Sequence, residues 1–400
     1  MPSSNQLSSS PDPHRSPPRM QNVPVDVQDE VKVQLRKVDK PFGFTTLPVA
    51  DIKKWNDAWV AGQRYLLDEA HDEPLSTLIA LHDAGYITRE QIAQILHNRL
   101  TEITLKRFCL SASDIDLFIL KFGAKLSGSV LIRLIHPKDD FEPDDLDFYI
   151  EAAVETEAIQ FFVEQGYLRN KPQFDANRST SSQSQTNYSY PHSNSYTRLY
   201  RMCLPPTHGS RSINLIVSNG KSVLPILCFH STGVMNFLSH HGLVILYPDT
   251  TLKHISIPNT PGSISDMAPL AQVGVRKYES RGWTYKFADQ LFRPHECSAH
   301  PYCPQMTRSL HDSAVLRVPS LYYALQDDVV LHEAYRKDAM IAHWSLAGGN
   351  HCLRPTSASN NGHAYVDGKS AVGKHIYLLE SVITMLIVQY SHSSVSSGKK

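Results

Sequence analysis

The sequence has no surplus of either charge: Lys plus Arg number 39, and so do Asp plus Glu. Such a chain has no global field to draw in nucleic acid or an anionic membrane, although a local basic patch is left open. Cysteine is scarce, six in 400 residues (Cys109, Cys203, Cys228, Cys297, Cys303, Cys352), and no Cys-x2-Cys pair occurs. This composition argues against a disulfide-stapled secreted scaffold, and reduced thiols are expected. MPSSNQLSSSPDPHRSPPRMQ at residues 1–21 lacks the apolar segment of a secretory leader. Long hydrophobic runs are also missing. IYLLESVITMLIVQY (376–390) is too short for a span and Glu380 interrupts it, so it reads as part of a buried helix over 372–392. A cytoplasmic or nuclear protein is expected. There is no internal repeat and no Gly-x4-Gly-Lys-Ser/Thr, Gly-x-Gly-x-x-Gly or His-Glu-x-x-His. Phosphate-loop ATPase, dinucleotide-binding and metalloprotease chemistry thus lack their signatures.

What is present divides the chain into regions. Residues 1–44 are rich in Ser, Pro, Asp and Gln and bury too little apolar surface to offset ordering entropy, so a disordered tail is expected. Residues 45–105 read as helical, with Ile52, Trp55, Trp59, Tyr65 and Leu66 near a 3.6-residue period and a break at Asp83-Ala84-Gly85. Thr88 and Gln91 have the spacing of a capping box. Residues 106–260 alternate helix and strand patterns around an insert at 170–196 of Ser, Asn, Gln, Thr and Tyr, expected to be mobile. VLPILCFHSTGVMNFLSHHG reads as a strand end or turn plus a helix and LVILYPDTTLKHISI as a strand pair, while 265–290 reads as helical again. Residues 261–400 form a C-terminal region with a Cys/His cluster and a final helix. The fold class expected is α/β or α+β, a small mixed sheet with flanking helices.

The most informative stretch is KLSGSVLIRLIHPKDDFEPDDLDFYI, residues 125–150. It reads as strand, Gly-Ser turn, short helix, loop and a strand carrying Asp-Leu-Asp. Side chains alternate along a strand, so Asp145, Asp147 and Tyr149 share one face and Leu146, Phe148 and Ile150 the other. Two carboxylates so placed sit about 7 Å apart along the backbone. They can converge on Mg²⁺, which favours oxygen ligands shared with substrate phosphates. Gly128 admits a phosphate close to the backbone, and Ser129 at a helix start can hydrogen-bond it. The competing reading is a solvated acidic turn, which is how Asp139, Asp140, Glu142 and Asp144 are taken.

The Gly-Ser turn followed by an acid-x-acid strand resembles the signature of the polymerase-beta-like nucleotidyltransferase superfamily. It also resembles fungal nucleotidyltransferase-like proteins whose own function is inferred. The likeness extends through FHSTGVMNFLS, LVILYP, RKYESRGW, the Cys297/Cys303 region and HWSLAGGNHC, covering roughly residues 106–355. The resemblance implies phosphate contacts at Gly128 and Ser129, Mg²⁺ at Asp145 and Asp147, and transfer of a nucleoside monophosphate from a triphosphate to an unknown acceptor. It also implies a third acid in RSINLIVS, where this chain has Asn214. An amide cannot take a proton, and general-base help is worth about 10²–10⁴-fold. Transfer is therefore expected to be impaired, with a nucleotide-binding or interaction module of the same fold as the alternative. Asp249 is a candidate to supply the missing charge, and nucleic acid is left open as an acceptor.

PHECSAHPYCPQMTRSLHD holds His295, Cys297, His300, Cys303 and His311, with Cys352 farther on. Cys297, His300 and Cys303 suit a weakly expected zinc ion, against plain buried thiols. Lys277, Arg281 and Trp283 either contact a nucleotide or belong to an ordinary amphipathic helix. His240 and His241 are assigned to a helix C-terminus, where they favour its dipole.

Overall fold

The computed structural model describes residues 47–168, 172, 174–175, 195–205, 211–292, 300–310, 312–324, 342–347 and 361–366. The expected tail, nearly all of the insert, the helix at 372–392 and residues His295, Cys297, His311 and Cys352 lie outside that set.

The chain opens with helices at Val49–Ala61 (α1), Gln63–Ala70 (α2), Leu75–Asp83 (α3) and Arg89–Phe108 (α4). Helix α4 begins as its sequence dictates. Thr88 accepts from the Gln91 N–H, and the Gln91 side chain accepts from the Thr88 N–H, which satisfies two donors the helix cannot pair internally. Ser111 and Asp114 repeat the device at Ala112–Phe122 (α5). Next come Lys125–Ser127 (β1), Ser129–Ile135 (α6), Asp145–Glu151 (β2), Glu155–Glu164 (α7), Phe174–Asp175 (β3), Tyr196–Cys203 (β4) and Ser212–Ser218 (β5). Strands Asn236–Ser239 (β6), Gly242–Ile245 (β7), Ile255–Ser256 (β8), Thr284–Tyr285 (β9), Arg308–Ser309 (β10), Leu316–Pro319 (β11), Ala342–Ala347 (β12) and Asn361–Val366 (β13) follow, with helix Pro269–Glu279 (α8) between β8 and β9.

Eight strands form one mixed sheet in the order β11-β7-β6-β1-β2-β5-β4-β3. The fold is thus a mixed α/β one, as expected. Strands β2 and β5 pair in parallel, with Asp147 opposite Asn214, while β1 runs antiparallel to β2 with Ser127 opposite Asp147. Leu146, Phe148 and Ile150 point into the larger core together with Ile213, Leu215 and Val217. That core also takes in Trp55, Leu78, Ile95, Phe118 and Phe162 from the helices. The opposite face carries Tyr149, Ile216, Phe237, Val244 and Trp344. Tyr196 and Tyr200 are four residues apart yet belong to opposite cores, because the pairing register of β4 slips between Tyr196 and Arg198.

Three elements differ from expectation. Within 265–290, expected to be helical, the helix ends at Glu279 and Thr284–Tyr285 is strand β9, paired with β8. MNFLS is the buried strand β6 between β1 and β7, not a helix. Every residue from Asn236 to Ser239 is buried, so the segment has no polar alternation to mark it as a strand. His240 and His241 accordingly occupy the turn of the β6–β7 hairpin instead of a helix end. Strands β7 and β8 both exist but do not pair with each other: β7 lies between β6 and β11, and β8 pairs with β9.

The buried Arg99 joins the first helices to the sheet layer. It donates to the carbonyls of His71 (2.6 Å), Ala70 (3.3 Å), Glu73 (2.5 Å) and Leu134 (3.1 Å), the last of these in α6. Burial pulls its guanidinium down to about 10, with the neighbouring Asp72 and Glu73 charges opposing.

Among the described residues no helix is long and apolar enough to cross a membrane.

Candidate functional site

The turn between β1 and α6 places the first functional groups. Gly128 has φ 82° and ψ −155°, a conformation essentially reserved for glycine. A Cβ there would stand 2.2 Å from Asp147 Oδ2, so the missing side chain is what allows the turn to lie against the carboxylate. Ser127 donates its hydroxyl to the Asn236 carbonyl at 2.5 Å and ties the turn to β6. Ser129 starts α6, is buried, and its Oγ has no hydrogen-bond partner. A buried hydroxyl without a partner, one residue after the glycine that lies against Asp147, is available to a ligand.

Strand β2 places the second set. Asp145 and Asp147 are half-buried and lie on the sheet face opposite the larger core, as alternation requires. The parallel neighbour β5 brings Asn214 to the same level as Asp147. Asn214 Nδ2 donates to Asp145 Oδ2 at 3.0 Å and to Asp147 Oδ1 at 2.8 Å. Carboxylates only accept, so the amide must present its NH₂ side to them. The two acids do converge on one point, and an amide nitrogen stands there. Its two N–H groups each meet one carboxylate, as a cation would, with far less charge.

Electrostatics at the pair are unfavourable for two full charges. The carboxyl of Asp147 is pushed up to about 7, first by burial and then by the Asp145 carboxylate, while the Asn214 amide and the Lys277 ammonium oppose the rise. Lys277 lies on the exposed side of α8, close enough for its charge to be felt by both Asp147 and His230. His230 is buried and held down to about 4 by burial and by Lys277. It packs so tightly on α8 that a Cβ at Gly274 would come within 2.7 Å of its Nε2. Tyr278 is also buried, and its hydroxyl is raised by burial and by both aspartates. Helix α8 therefore lies over the carboxylate pair.

Of the remaining expected residues, Arg281 sets its guanidinium 3.9 Å from the ring centre of Phe141, and Trp283 is buried in a small core with Tyr278, Val234 and Ile132. These are packing roles, but both residues lie in the turn after α8 and not on the expected helix, whereas Lys277 is on α8 and its charge acts on Asp147. Asp249 faces Tyr302, whose hydroxyl oxygen accepts from its backbone N–H at 2.9 Å. Cys303 is buried and its N–H donates to the His300 carbonyl at 2.9 Å. The His300 ring packs 4.6 Å from Phe292. Among the described residues these two enter no three-ligand cluster.

One such cluster escaped sequence reasoning. His136, Asp139 and His254 each offer a ligand atom within 4.8 Å of the others. Asp139 read as part of a solvated acidic turn, and its partner His254 is 115 residues away in sequence. The short-range signal was only His-x-x-Asp at a helix end.

No protein-family model, curated protein or solved structure matches this chain.

Proposed function

We propose that the chain is a nucleotidyltransferase-like protein whose site at Gly128, Ser129, Asp145 and Asp147 binds a nucleoside triphosphate with Mg²⁺, and that Asn214 makes nucleotidyl transfer slow. The observation that carries this reading is the convergence of both carboxylates on one point beside a glycine turn. Mg²⁺ at that point would be held by Asp145 and Asp147 and would offer its remaining positions to phosphate oxygens. The metal supplies charge neutralisation for the phosphates and an electrophile for transfer. Asn214 would rotate its amide to turn Oδ1 toward the ion, giving a neutral ligand and no proton acceptor. Lys277 adds positive charge near the pair that would favour an anionic phosphate tail. A protein that binds nucleotide without turning it over is the second reading, favoured by the Asn214 amide bridge.

Titration calorimetry with each nucleoside triphosphate, with and without Mg²⁺, tests the assignment. Metal-dependent binding that disappears in Asp145→Asn and Asp147→Asn is the expected result. No binding under any condition would sink both readings. Release of pyrophosphate in Asn214→Asp at about 10²–10⁴ times the wild-type rate is expected if the third acid is all that is missing.

A further inference from the structure

We propose that His136, Asp139 and His254 form a second, separate metal site that takes a divalent transition-metal ion of the zinc type. Two imidazoles and one carboxylate are the donor set such ions prefer, whereas Mg²⁺ and Ca²⁺ favour oxygen throughout. The ligand atoms lie within 4.8 Å of one another. Zinc bonds of about 2.0–2.2 Å therefore need only small side-chain rotations to close on a common centre.

Two features point to an ion beyond mere proximity. His136 is buried, and its Nε2 donates to the Thr251 carbonyl at 3.0 Å, since a carbonyl can only accept. That bond fixes the tautomer and leaves Nδ1 with the lone pair a metal takes, the outer-shell arrangement typical of ligating histidines. Asp139 Oδ1 meets His254 Nε2 at 2.9 Å, while its other oxygen is buried with no partner at all. An orphaned carboxylate oxygen beside two imidazoles is costly unless something positive joins them. On binding, the ion takes the place of the hydrogen shared by His254 Nε2 and Asp139 Oδ1, and the His254 ring then carries its proton on Nδ1.

The surroundings of the three ligands are also held in place. Trp283 sets its ring edge-on to both imidazoles, at 5.9 Å from His136 and 5.3 Å from His254. His254 is held at φ 55°, an uncommon conformation for a residue with a side chain. Its carbonyl accepts from the Thr284 N–H at 2.8 Å, which locks the backbone in place. His136 caps the end of α6, the helix whose start carries Ser129. An ion there would pin that helix from about 10 Å behind the phosphate turn. It would join the helix end to the loop at Asp139 and to the segment entering β8.

The test uses the full chain stripped with a chelator and titrated with ZnCl₂, and with CoCl₂ as an absorbing probe. The expected result is one equivalent bound, with a Co²⁺ spectrum that lacks the strong near-ultraviolet band of thiolate ligation. Binding should persist in Asp147→Asn and weaken by more than about 10–100-fold, the cost of losing an outer-shell partner alone, in both His254→Asn and Asp139→Asn. Asn tolerates positive φ, and circular dichroism of each variant checks that it is folded. A thiolate band, zinc affinity unchanged in either folded variant, or no zinc binding by the wild type would overturn the proposal.

Discussion

At the residue scale, the balance between Asp147 and its neighbours determines how the site responds to pH. Burial and the neighbouring Asp145 charge push the folded Asp147 carboxyl up to about 7 from the ordinary 3.8. Between those values the folded state holds a proton that the unfolded chain has released, so the metal-free protein loses stability as pH rises through that window. Mg²⁺ bound as proposed would have to displace the same proton. Its affinity is therefore expected to climb by about tenfold per pH unit below about 7 and to level off above it. Calorimetry at pH 6 and pH 8 reads this directly, and a flat profile would remove Asp147 from the metal site. Gly128 supports a second expectation. Gly128→Ala places a methyl 2.2 Å from Asp147 Oδ2 at φ 82°. It should lower stability by about 1–3 kcal/mol in denaturant titration and abolish nucleotide binding.

At the scale of elements, α6 is held at both ends. Its start is set by Gly128 and Ser127, and its last turn by Arg99, which reaches from α4 to the Leu134 carbonyl. Removing the guanidinium would leave four backbone carbonyls without that donor. Arg99→Met, which keeps the apolar stem, is expected to cost about 2–4 kcal/mol in chemical denaturation. The loss should appear as faster amide exchange at the ends of α2 and α6; uniform exchange throughout would argue against a local tie. Helix α8 is the other positioning element. Gly274 lets it approach His230, and that approach brings Lys277 to the side of the carboxylates.

For the molecule as a whole, the sheet separates two cores of different character. The larger is rich in Phe: Phe118 packs on Phe122, Phe148, Phe161 and Phe162 with ring centres 4.4–5.2 Å apart. Phe118→Ala is expected to lower stability by about 3–5 kcal/mol, measured by thermal or urea unfolding. On the opposite side polar groups are built into the packing. Trp344 donates its indole N–H to the Tyr247 hydroxyl at 2.8 Å, and buried Arg308 donates to the carbonyls of Pro301 (3.0 Å) and Leu246 (3.2 Å). The carboxylate pair lies on this second side, where the sheet already accommodates polar groups.

What could be read from the residues was what depends on near neighbours. Alternation along β2 gave the shared face of Asp145 and Asp147, the Thr88 cap marked one helix start, and the Gly-Ser step marked the turn. The resemblance implied an acid at position 214, and the sequence shows an amide there. Its bridging of both carboxylates could not be recognised, because that contact follows from the parallel register of β2 and β5 across 67 and 69 intervening steps of chain. Strand β6 was mistaken for a helix because a segment buried on both sides loses the period that tells the two apart. The His136, Asp139 and His254 cluster, the approach of α8 and the rise of Asp147 toward neutrality belong to the tertiary structure alone. Each depends on burial and on charges contributed by distant segments, and local sequence carries neither.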